Sequence, residues 1–299
     1  MILTFPNGQE VDVQFDDKTH SYQVAHKING EFTDYRPTHG ITAPLSVVPK
    51  PFLTPWGAKV GVEALLEYQL TNELPDLEQF FIDKKAYETN ERTEDGKPVM
   101  SYYKFAKAYP WFSKVKGAYK QKSKEGQEIG TWLHSAIENF YKSDRKTKPV
   151  ITDEETQKLW DSFTMFDNFF KPKADAEGLE FLVYSLMFGF SGQGDFRGVM
   201  SGKKCIGDWK TTNRSDQNTD GISTEYFFQL GGLAQAEFER TGEWVDDLFA
   251  ANFDKEGGEP RVVWASEFGM SPQDCARAYV NCFNTYHMIE TWDYKFKKR

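Results

Sequence analysis

The sequence is poor in cysteine and has no long apolar run. Its 299 residues include three cysteines, Cys205, Cys275 and Cys282, too few for a disulfide framework or for a four-thiolate iron–sulfur or zinc site. No apolar stretch approaches the ~20 residues of a membrane-spanning helix. The first residues, MILTFPNGQE, lack the basic and apolar segments of an export signal. We therefore expect a soluble protein of a reducing, cytoplasmic compartment, with no membrane partner.

Internal repeats, low-complexity segments and a GxxxxGK[ST] phosphate loop are also missing. Without repeats the chain is a single sequence of elements, and the missing phosphate loop predicts that no nucleotide cofactor is bound. What the sequence does have is a hydrophobic content of 39% and an aromatic content of 16%, enough for a substantial core. Since no linker-like segment divides the chain, we predict one domain over residues 1–299.

Positive charge is concentrated in one segment of an acidic protein. The formal net charge is −9, yet residues 97–148 contain twelve Lys or Arg against four Asp or Glu, a charge of +8. Aromatic residues are interleaved with these lysines, a mixture that suits phosphate neutralisation and base stacking on a nucleic-acid strand. The residues leave open the alternative of a solvated helical face with its aromatics buried behind it. The candidate DNA contacts are Lys114, Lys116, Lys120, Lys122 and Lys124, and the aromatics are Tyr102, Tyr103, Phe105, Tyr109, Trp111, Phe112 and Tyr119.

Hydrophobic periodicity predicts an α/β fold. Alternating segments within residues 11–32 predict an N-terminal β meander, and the five prolines of residues 36–55 argue against a helix or a central strand there. Helices follow, so that residues 1–125 form a β and helical decoration of a catalytic core at residues 126–299. Helices are predicted at residues 56–70, 75–88, 98–123 with a break near Pro110, 127–142 and 224–240. Two more are predicted, one from a Thr152–Glu155 capping box to about residue 172 and one from Ser271 onward. Strands are predicted at residues 180–188, 193–200, 204–211, 246–253 and 261–268.

The stretch GQGDFRGVMSGKKCIGDWKTTN, residues 192–213, predicts an antiparallel hairpin that carries charged groups. A polar turn, SGKK, separates its two strands. If that turn is centred on Gly202 and Lys203, Asp195 lies opposite Lys210. Because Asp208 and Lys210 are two residues apart on one strand, their side chains point the same way, and all three charged groups then share one face of the sheet.

Two carboxylates beside a lysine suit phosphodiester hydrolysis. Asp195 and Asp208 offer hard oxygen ligands for Mg²⁺ or Mn²⁺, and such an ion lowers the pKa of a bound water. Lys210 could hold the attacking water and stabilise the developing negative charge. The same three residues could instead make an ordinary cross-strand salt bridge on a solvated strand.

A second group of polar residues lies on the helix predicted at residues 127–142. His134 and Glu138 are four residues apart and share one face, while Leu133 and Ile137 belong to the apolar stripe. An imidazole and a carboxylate presented together can complete a metal site whose other ligands come from the sheet. A surface hydrogen bond between the two is the alternative.

The ordered set of these residues resembles the RecB-type branch of the PD-(D/E)XK nucleases over about residues 126–240. The matching positions are Gly130, His134 and Glu138 on a helix, Glu180 on a first strand, Asp195 at the end of GxGD, Asp208 and Lys210 in GDWKT, and Gln229 on the next helix. The segment PTHGITAPLSVVPKPFLTPWGAKVGVEALLEY is also similar to the N-terminal region of phage-encoded exonucleases and of the mitochondrial genome maintenance exonuclease. The resemblance implies a restriction-endonuclease-like core, a central mixed sheet flanked by helices.

The resemblance also assigns roles to individual residues. Lys210 is the catalytic lysine, and Glu180 and Glu138 match further acids of the active site. Gln229 matches the glutamine of a QxxxY helix that orients the site and meets DNA, although Leu233 replaces the tyrosine of that motif. The cysteines that bind an iron–sulfur cluster in some relatives are absent, so no cluster is expected. The implied ligands of one or two Mg²⁺ or Mn²⁺ ions are His134, Asp195, Asp208 and the backbone carbonyl of Trp209.

Together these expectations describe a metal-dependent deoxyribonuclease, a hydrolase that attacks the ends of DNA, with single strands preferred. The resemblance implies a place in DNA recombination or repair, with recombination or replication proteins as partners. For a phage-encoded enzyme the compartment is the cytoplasm of the bacterial host. Two alternatives are a structure-specific endonuclease and a catalytically silent DNA-end-binding module.

Overall fold

The computed structural model describes residues 1–16, 18–50, 53–71, 77–89, 91–212 and 222–297. The chain forms two compact units, one of Met1–Pro49 with Ile129–Arg299 and one of Lys50–Glu128. No helix in the described part of the chain combines the length and the apolar character that a bilayer-spanning segment needs. The single nuclease domain expected over residues 1–299, with its division at residue 125, stays a prediction.

The first unit is built on a ten-stranded mixed sheet. The strands are β1 (Ile2–Thr4), β2 (Glu10–Asp16), β3 (Ser21–Ile28), β4 (Glu31–Phe32), β5 (Arg36–Gly40), β6 (Lys173–Tyr184), β7 (Phe190–Met200), β8 (Lys203–Thr212), β9 (Asp247–Asp254) and β10 (Arg261–Trp264). They follow the order β1-β2-β3-β5-β7-β8-β9-β10, with β4 paired to β3 and β6 to β7. The β5–β7 and β8–β9 pairs are parallel.

Helices cover both faces of this sheet in the first unit. In the part of the chain that the structure describes, the α-helices are α1 (Leu53–Thr71), α2 (Leu77–Glu88), α3 (Tyr102–Ala108), α4 (Pro110–Lys142), α5 (Glu154–Phe170), α6 (Thr224–Thr241) and α7 (Pro272–Lys297). Leu248 of β9 packs with α6 and α7, whereas its neighbour Phe249 packs with α5 and with residues 129–142 of α4. Successive side chains of a strand point to opposite faces, so β9 is apolar on both. The expected α/β class, with a central mixed sheet flanked by helices, is confirmed.

The second unit is helical, with its own aromatic core. The break expected at Pro110 is confirmed, since α3 ends at Ala108 and α4 begins at Pro110. The helix predicted at residues 127–142 is wrong as a separate element, because it is the last part of α4. Residues 75–76, where the next predicted helix begins, lie outside the described residues. One cluster of buried aromatic residues in this unit contains Phe80, Phe105, Tyr109 and Trp111.

The proline-rich segment at residues 36–55 was predicted to form neither a helix nor a central strand, and that prediction is wrong. Its first part forms β5, which occupies an interior position in the sheet between β3 and β7. Pro37 is tolerated there because the pairing to β7 involves only His39 and Gly40, which leaves that edge free of ladder bonds at the proline. A 3-10 turn over Ala43–Val47 follows, with Pro44 near its start.

The capping box of α5 is displaced by one residue from the predicted one. Asp153, not Thr152, is the N-cap, and its side chain accepts a hydrogen bond from the backbone amide of Thr156. The Thr156 hydroxyl in turn accepts from the Asp153 amide, so Glu155 is not the partner. Aspartate caps a helix at least as well as threonine does, which explains why the helix begins one residue later.

The hairpin of β7 and β8 has a register that differs from the predicted one by two residues. Its turn consists of Ser201 and Gly202, whose φ values of 53° and 80° fit a two-residue hairpin turn. The observed pairing, continued by one residue, sets Asp195 across from Asp208 rather than from Lys210. A shift of two residues leaves every side chain on the face it had before, so the predicted grouping of the three charged residues is not lost.

We expect Gly207→Ala to destabilise the first unit by about 1–3 kcal/mol through overpacking. A Cβ at Gly207 would lie 2.0 Å from Cζ of Phe249, a ring that is fully buried. The matched control is Gly130→Ala, whose Cβ would meet only Thr211 Oγ1 at 3.7 Å. That change removes a helical glycine and should leave stability unchanged or raise it by up to about 1 kcal/mol. Urea denaturation measures both variants, and equal midpoints would contradict the expectation.

Candidate active site

The candidate site lies where β7 and β8 separate. Their antiparallel pairing ends at Phe196 and Gly207, while β8 continues beside β9 to Thr212. Beyond that last pair, side chains bind the backbone of Trp209. Its N–H donates to Asp195 Oδ2 at 2.7 Å, and its carbonyl accepts from His134 Nε2 at 2.9 Å. We call this place, between Asp195 and Trp209, the strand opening.

His134 reaches the strand opening from α4. Its neighbours Leu133 and Ile137 are fully buried against the sheet, which orients this face of the helix. Since Nε2 donates to a carbonyl, Nδ1 is the nitrogen turned toward the acids. It lies 3.5 Å from Asp195 Oδ1 and 3.8 Å from Glu180 Oε1. One ligand atom from each of these three residues lies within 4.8 Å of the others, so they could hold a metal ion.

Glu180 enters the site through an irregular backbone. Its φ of 48° is in the left-handed region, uncommon for a residue other than glycine, and it follows a register shift in the β6–β7 pairing. Gln193 Nε2 donates to Glu180 Oε2 at 2.9 Å and so orients the carboxylate. Gln193 is the second residue of GQGD, and sequence reasoning did not assign it a role. Strained backbone of this kind is often found at functional sites.

Asp208 and Lys210 complete the group on β8. Lys210 Nζ lies 2.5 Å from Asp208 Oδ2 and 5.0 Å from the centre of the Tyr226 ring. Tyr226, in the first turn of α6, is a second residue that sequence reasoning missed. The only sequence signal for it is its position one helical turn before Gln229.

Two predicted residues lie away from this cluster or make no contact with it. Glu138 pairs with Lys142 on its own helix, at 2.5 Å, although its charge still acts on Glu180. Gln229 is half-buried on α6, and within the described part of the chain its side chain makes no hydrogen bond to the charged residues of the site. The resemblance to a DNA-contacting glutamine therefore stays a prediction.

Opposite charges at the strand opening shift the pKa values of Asp195 and His134 in opposite directions. Burial lowers the pKa of His134, but the Asp195 carboxylate outweighs it and raises the value to about 9. Burial raises the pKa of Asp195, but His134 and Lys210 outweigh it, so the pKa lies below its usual value. At neutral pH, without a metal ion, the pair is therefore an imidazolium facing a carboxylate.

The other two carboxyls are harder to ionise. Burial, with a smaller contribution from Asp195, raises the pKa of Glu180 to about 7 and that of Asp208 to about 6. Burial lowers the pKa of Lys210, but Asp208 and Asp195 outweigh it and raise the value. Lys210 therefore stays protonated at neutral pH and acts as a cation, not as a base.

These residues fit a divalent cation. Asp208 Oδ2 is buried, and the ammonium group of Lys210 lies 2.5 Å from it. The carboxyls of Glu180, Asp195 and Asp208 are gathered in one poorly solvated place, and a divalent cation would reduce the cost of ionising them together. Carboxylate oxygens joined by one imidazole suit Mg²⁺ or Mn²⁺. The ligand group that the geometry brings together is His134, Glu180 and Asp195. Asp208 is close enough for its charge to interact with Asp195 and His134.

The predicted DNA contacts belong to the second unit and lie on α4. All five lysines are exposed. Lys122 pairs with Glu63 at 3.2 Å and Lys124 with Glu128 at 3.5 Å. Within the described residues, the other three make no ion pair. The lysines without an ion pair are Lys114, Lys116 and Lys120.

The expectation that the aromatics of residues 97–148 are available for base stacking is wrong for three of them. Phe105, Tyr109 and Trp111 are buried in the core of the second unit, at 3%, 7% and 8% exposure. Helical spacing turns them inward, as the alternative reading allowed. Tyr103 and Tyr119 are exposed, at 75% and 43%.

Comparisons with known proteins add little to this geometry. No protein-family model and no curated protein matches the chain. Among solved structures, the crystal structure of SSO0001 is 14% identical, covers 62% of this chain and 69% of that one, and gives a TM-score of 0.30. An alkaline exonuclease from Laribacter hongkongensis is 9% identical, with coverages of 55% and 84% and a TM-score of 0.24. At these scores neither likeness decides fold or function.

We expect the metal-free protein to lose stability as the pH rises from about 6 to about 9, and Mn²⁺ to restore it. The folded-state pKa values of Glu180 and His134, about 7 and about 9, exceed their usual 4.5 and 6.5. The folded state therefore binds more protons, and this stabilisation is lost as the pH rises through those values. A cation competes with the protons, so the increase in Tm on adding Mn²⁺ should grow over the same interval.

Thermal unfolding with Mn²⁺ or EDTA measures this effect, and Asp195→Asn is the control that removes a ligand. In that variant the increase in Tm should be small at every pH. An Mn²⁺ effect that is independent of pH and unchanged by Asp195→Asn would contradict the assignment.

Proposed function

We propose that the protein is a metal-dependent nuclease of the PD-(D/E)XK type that hydrolyses DNA, acting from the ends of single strands. The observation that supports this most is the meeting of five ionisable side chains at the strand opening, drawn from three strands and a helix. These side chains come from distant parts of the sequence, and the fold brings them together. The five are His134, Glu180, Asp195, Asp208 and Lys210.

The charge and position of each residue indicate its role in the proposed reaction. His134, Glu180 and Asp195, with Asp208 beside them, would hold Mg²⁺ or Mn²⁺, which when bound supplies a Lewis acid for the phosphate and lowers the pKa of the attacking water. Lys210, protonated and buried beside Asp208, offers a fixed positive charge for the negative charge that develops on the phosphate. The Tyr226 ring lies against its ammonium group and helps to hold it in place.

Support for DNA as the substrate comes from the exposed lysines of α4. The protein is acidic overall, with a net charge of −9, so attraction to phosphate has to be local. Lys114, Lys116 and Lys120, which make no ion pair within the described residues, can bind phosphates without first breaking a salt bridge. Tyr103 and Tyr119 are the exposed aromatics of the same segment that could stack on bases.

Lys210→Ala should reduce DNA hydrolysis by ~10²–10³-fold, because it removes a fixed charge from the reaction centre. The assay digests linear and covalently closed circular single-stranded DNA with Mg²⁺, Mn²⁺ or EDTA. Lys204→Ala is the matched control, since Lys204 lies on the same strand but is exposed and pairs with Glu243. It should cut as the unchanged protein does.

The substrate pattern separates the candidate functions. Metal-dependent loss of the linear DNA alone supports an exonuclease, and loss of the circle as well indicates an endonuclease. If both DNAs bind and neither is cut, the protein is a DNA-binding module and the proposal of catalysis is wrong. Full activity in Lys210→Ala would place the chemistry elsewhere.

Replacing Lys114, Lys116 and Lys120 by glutamine should weaken binding to single-stranded DNA and its dependence on salt. Three lost phosphate contacts should lower the slope of log K against log salt by about 2, at ~0.7 per contact. Fluorescence anisotropy at several salt concentrations measures this slope. The control replaces three exposed lysines of the first unit, Lys18, Lys173 and Lys204, by glutamine. Equal slopes in the two triple variants would mean that the lysines of α4 do not contact phosphates and only form a solvated helical face.

A further inference from the structure

A second group of metal-ligating side chains lies in the first unit, apart from the strand opening. It joins His39 of β5 to His287 and Glu290 of α7, and one ligand atom from each lies within 4.8 Å of the others. His39 Nε2 is 3.6 Å from Glu290 Oε2. We propose that these three residues form a site for a zinc-like transition-metal ion, which fastens α7 to β5. The nuclease function proposed above neither requires nor implies this site.

The distances suit a small tetrahedral ion. Two ligand atoms at ~2.05 Å from a tetrahedral zinc ion are about 3.3 Å apart, close to the 3.6 Å between His39 Nε2 and Glu290 Oε2. His287 and Glu290 are three residues apart on one helix and therefore face the same side. His39 and Glu290 keep exposures of 34% and 43%, so water can reach a remaining coordination position.

The surroundings hold the ligands in orientation. The Tyr286 hydroxyl donates to Glu290 Oε1 at 2.6 Å, which leaves Oε2 as the oxygen facing His39. The His39 ring packs edge-on against His287 at 4.9 Å and against Tyr286 at 5.7 Å between ring centres. Phe283 closes the apolar side of both imidazoles. A hydrogen bond to a ligating carboxylate of this kind is typical of metal sites.

The ligand types select the metal. Two imidazoles and one carboxylate favour zinc, nickel, cobalt or copper over Mg²⁺, which prefers oxygen ligands and retains its water. The strand opening differs in this respect, because it combines one imidazole with carboxylates only. We therefore expect a zinc-like ion to prefer the His39 group and Mg²⁺ to prefer the strand opening.

The position of the group gives the ion a structural role. β5 is the strand through which the N-terminal meander joins the rest of the sheet, since it pairs with β3 on one side and β7 on the other. An ion bound between His39 and α7 would close a loop of about 250 residues, the situation in which a metal cross-link constrains the unfolded chain most. Zinc should therefore stabilise the meander together with α7.

Calorimetric titration of the full chain with Zn²⁺ tests the site, in an Asp195→Asn background that weakens the strand opening as a competitor. We expect one zinc ion per chain in that background. Adding His287→Ala should remove this binding. Adding Tyr286→Phe should weaken it by ~10–100-fold, because that variant keeps all three ligands and loses only the hydrogen bond to one of them.

The matched control is His20→Asn, an exposed histidine outside the group whose φ of 48° asparagine tolerates. It should bind zinc as the background protein does. Thermal unfolding gives a second measurement in the same Asp195→Asn background: Zn²⁺ should raise Tm, and adding His39→Gln or His287→Ala should abolish that increase. Zinc binding and zinc-dependent Tm that are the same with and without His287 would overturn the proposal.

Discussion

The site depends on how one backbone residue satisfies its hydrogen bonds. β8 stays paired with β9 through Thr212, but its pairing with β7 ends at Gly207. Trp209, only 1% exposed, would then keep an N–H and a carbonyl without partners, at a cost of about 1–3 kcal/mol for each. Asp195 and His134 supply those partners. The same two contacts that complete the backbone therefore place a carboxylate and an imidazole side by side.

Once these groups are fixed, burial and charge decide their protonation. The sheet is covered on both faces, so the carboxyls at the strand opening are poorly solvated, and the pKa values of Glu180 and Asp208 rise to about 7 and about 6. His134 and Lys210 offset part of the negative charge within the cluster. A site with excess carboxylates in a poorly solvated place favours a cation, and a cluster of such shifted groups is typical of functional sites.

The parts of this arrangement that depend on the regular repeat of a single strand or helix could be predicted from the sequence. The shared direction of Asp208 and Lys210 follows from the two-residue repeat of any strand. The register of the β7–β8 hairpin could not be predicted in the same way, because the left-handed turn at Ser201 and Gly202 has no unambiguous sequence signal. Glu180 was expected only from the family resemblance, since its left-handed backbone cannot be read from the sequence. Tyr226 was missed because the sequence pattern of α6 does not show which strand its first turn faces. The His39 group was missed because its residues are far apart in the chain.

The central claim is that the strand opening holds a divalent ion, and anomalous X-ray diffraction from crystals grown with Mn²⁺ tests it most directly. The account predicts an anomalous peak bounded by His134 Nδ1 and the carboxylates of Glu180 and Asp195, with Asp208 adjacent. A crystal that shows no peak there at saturating Mn²⁺, with the imidazole and carboxylates still facing one another, would contradict it.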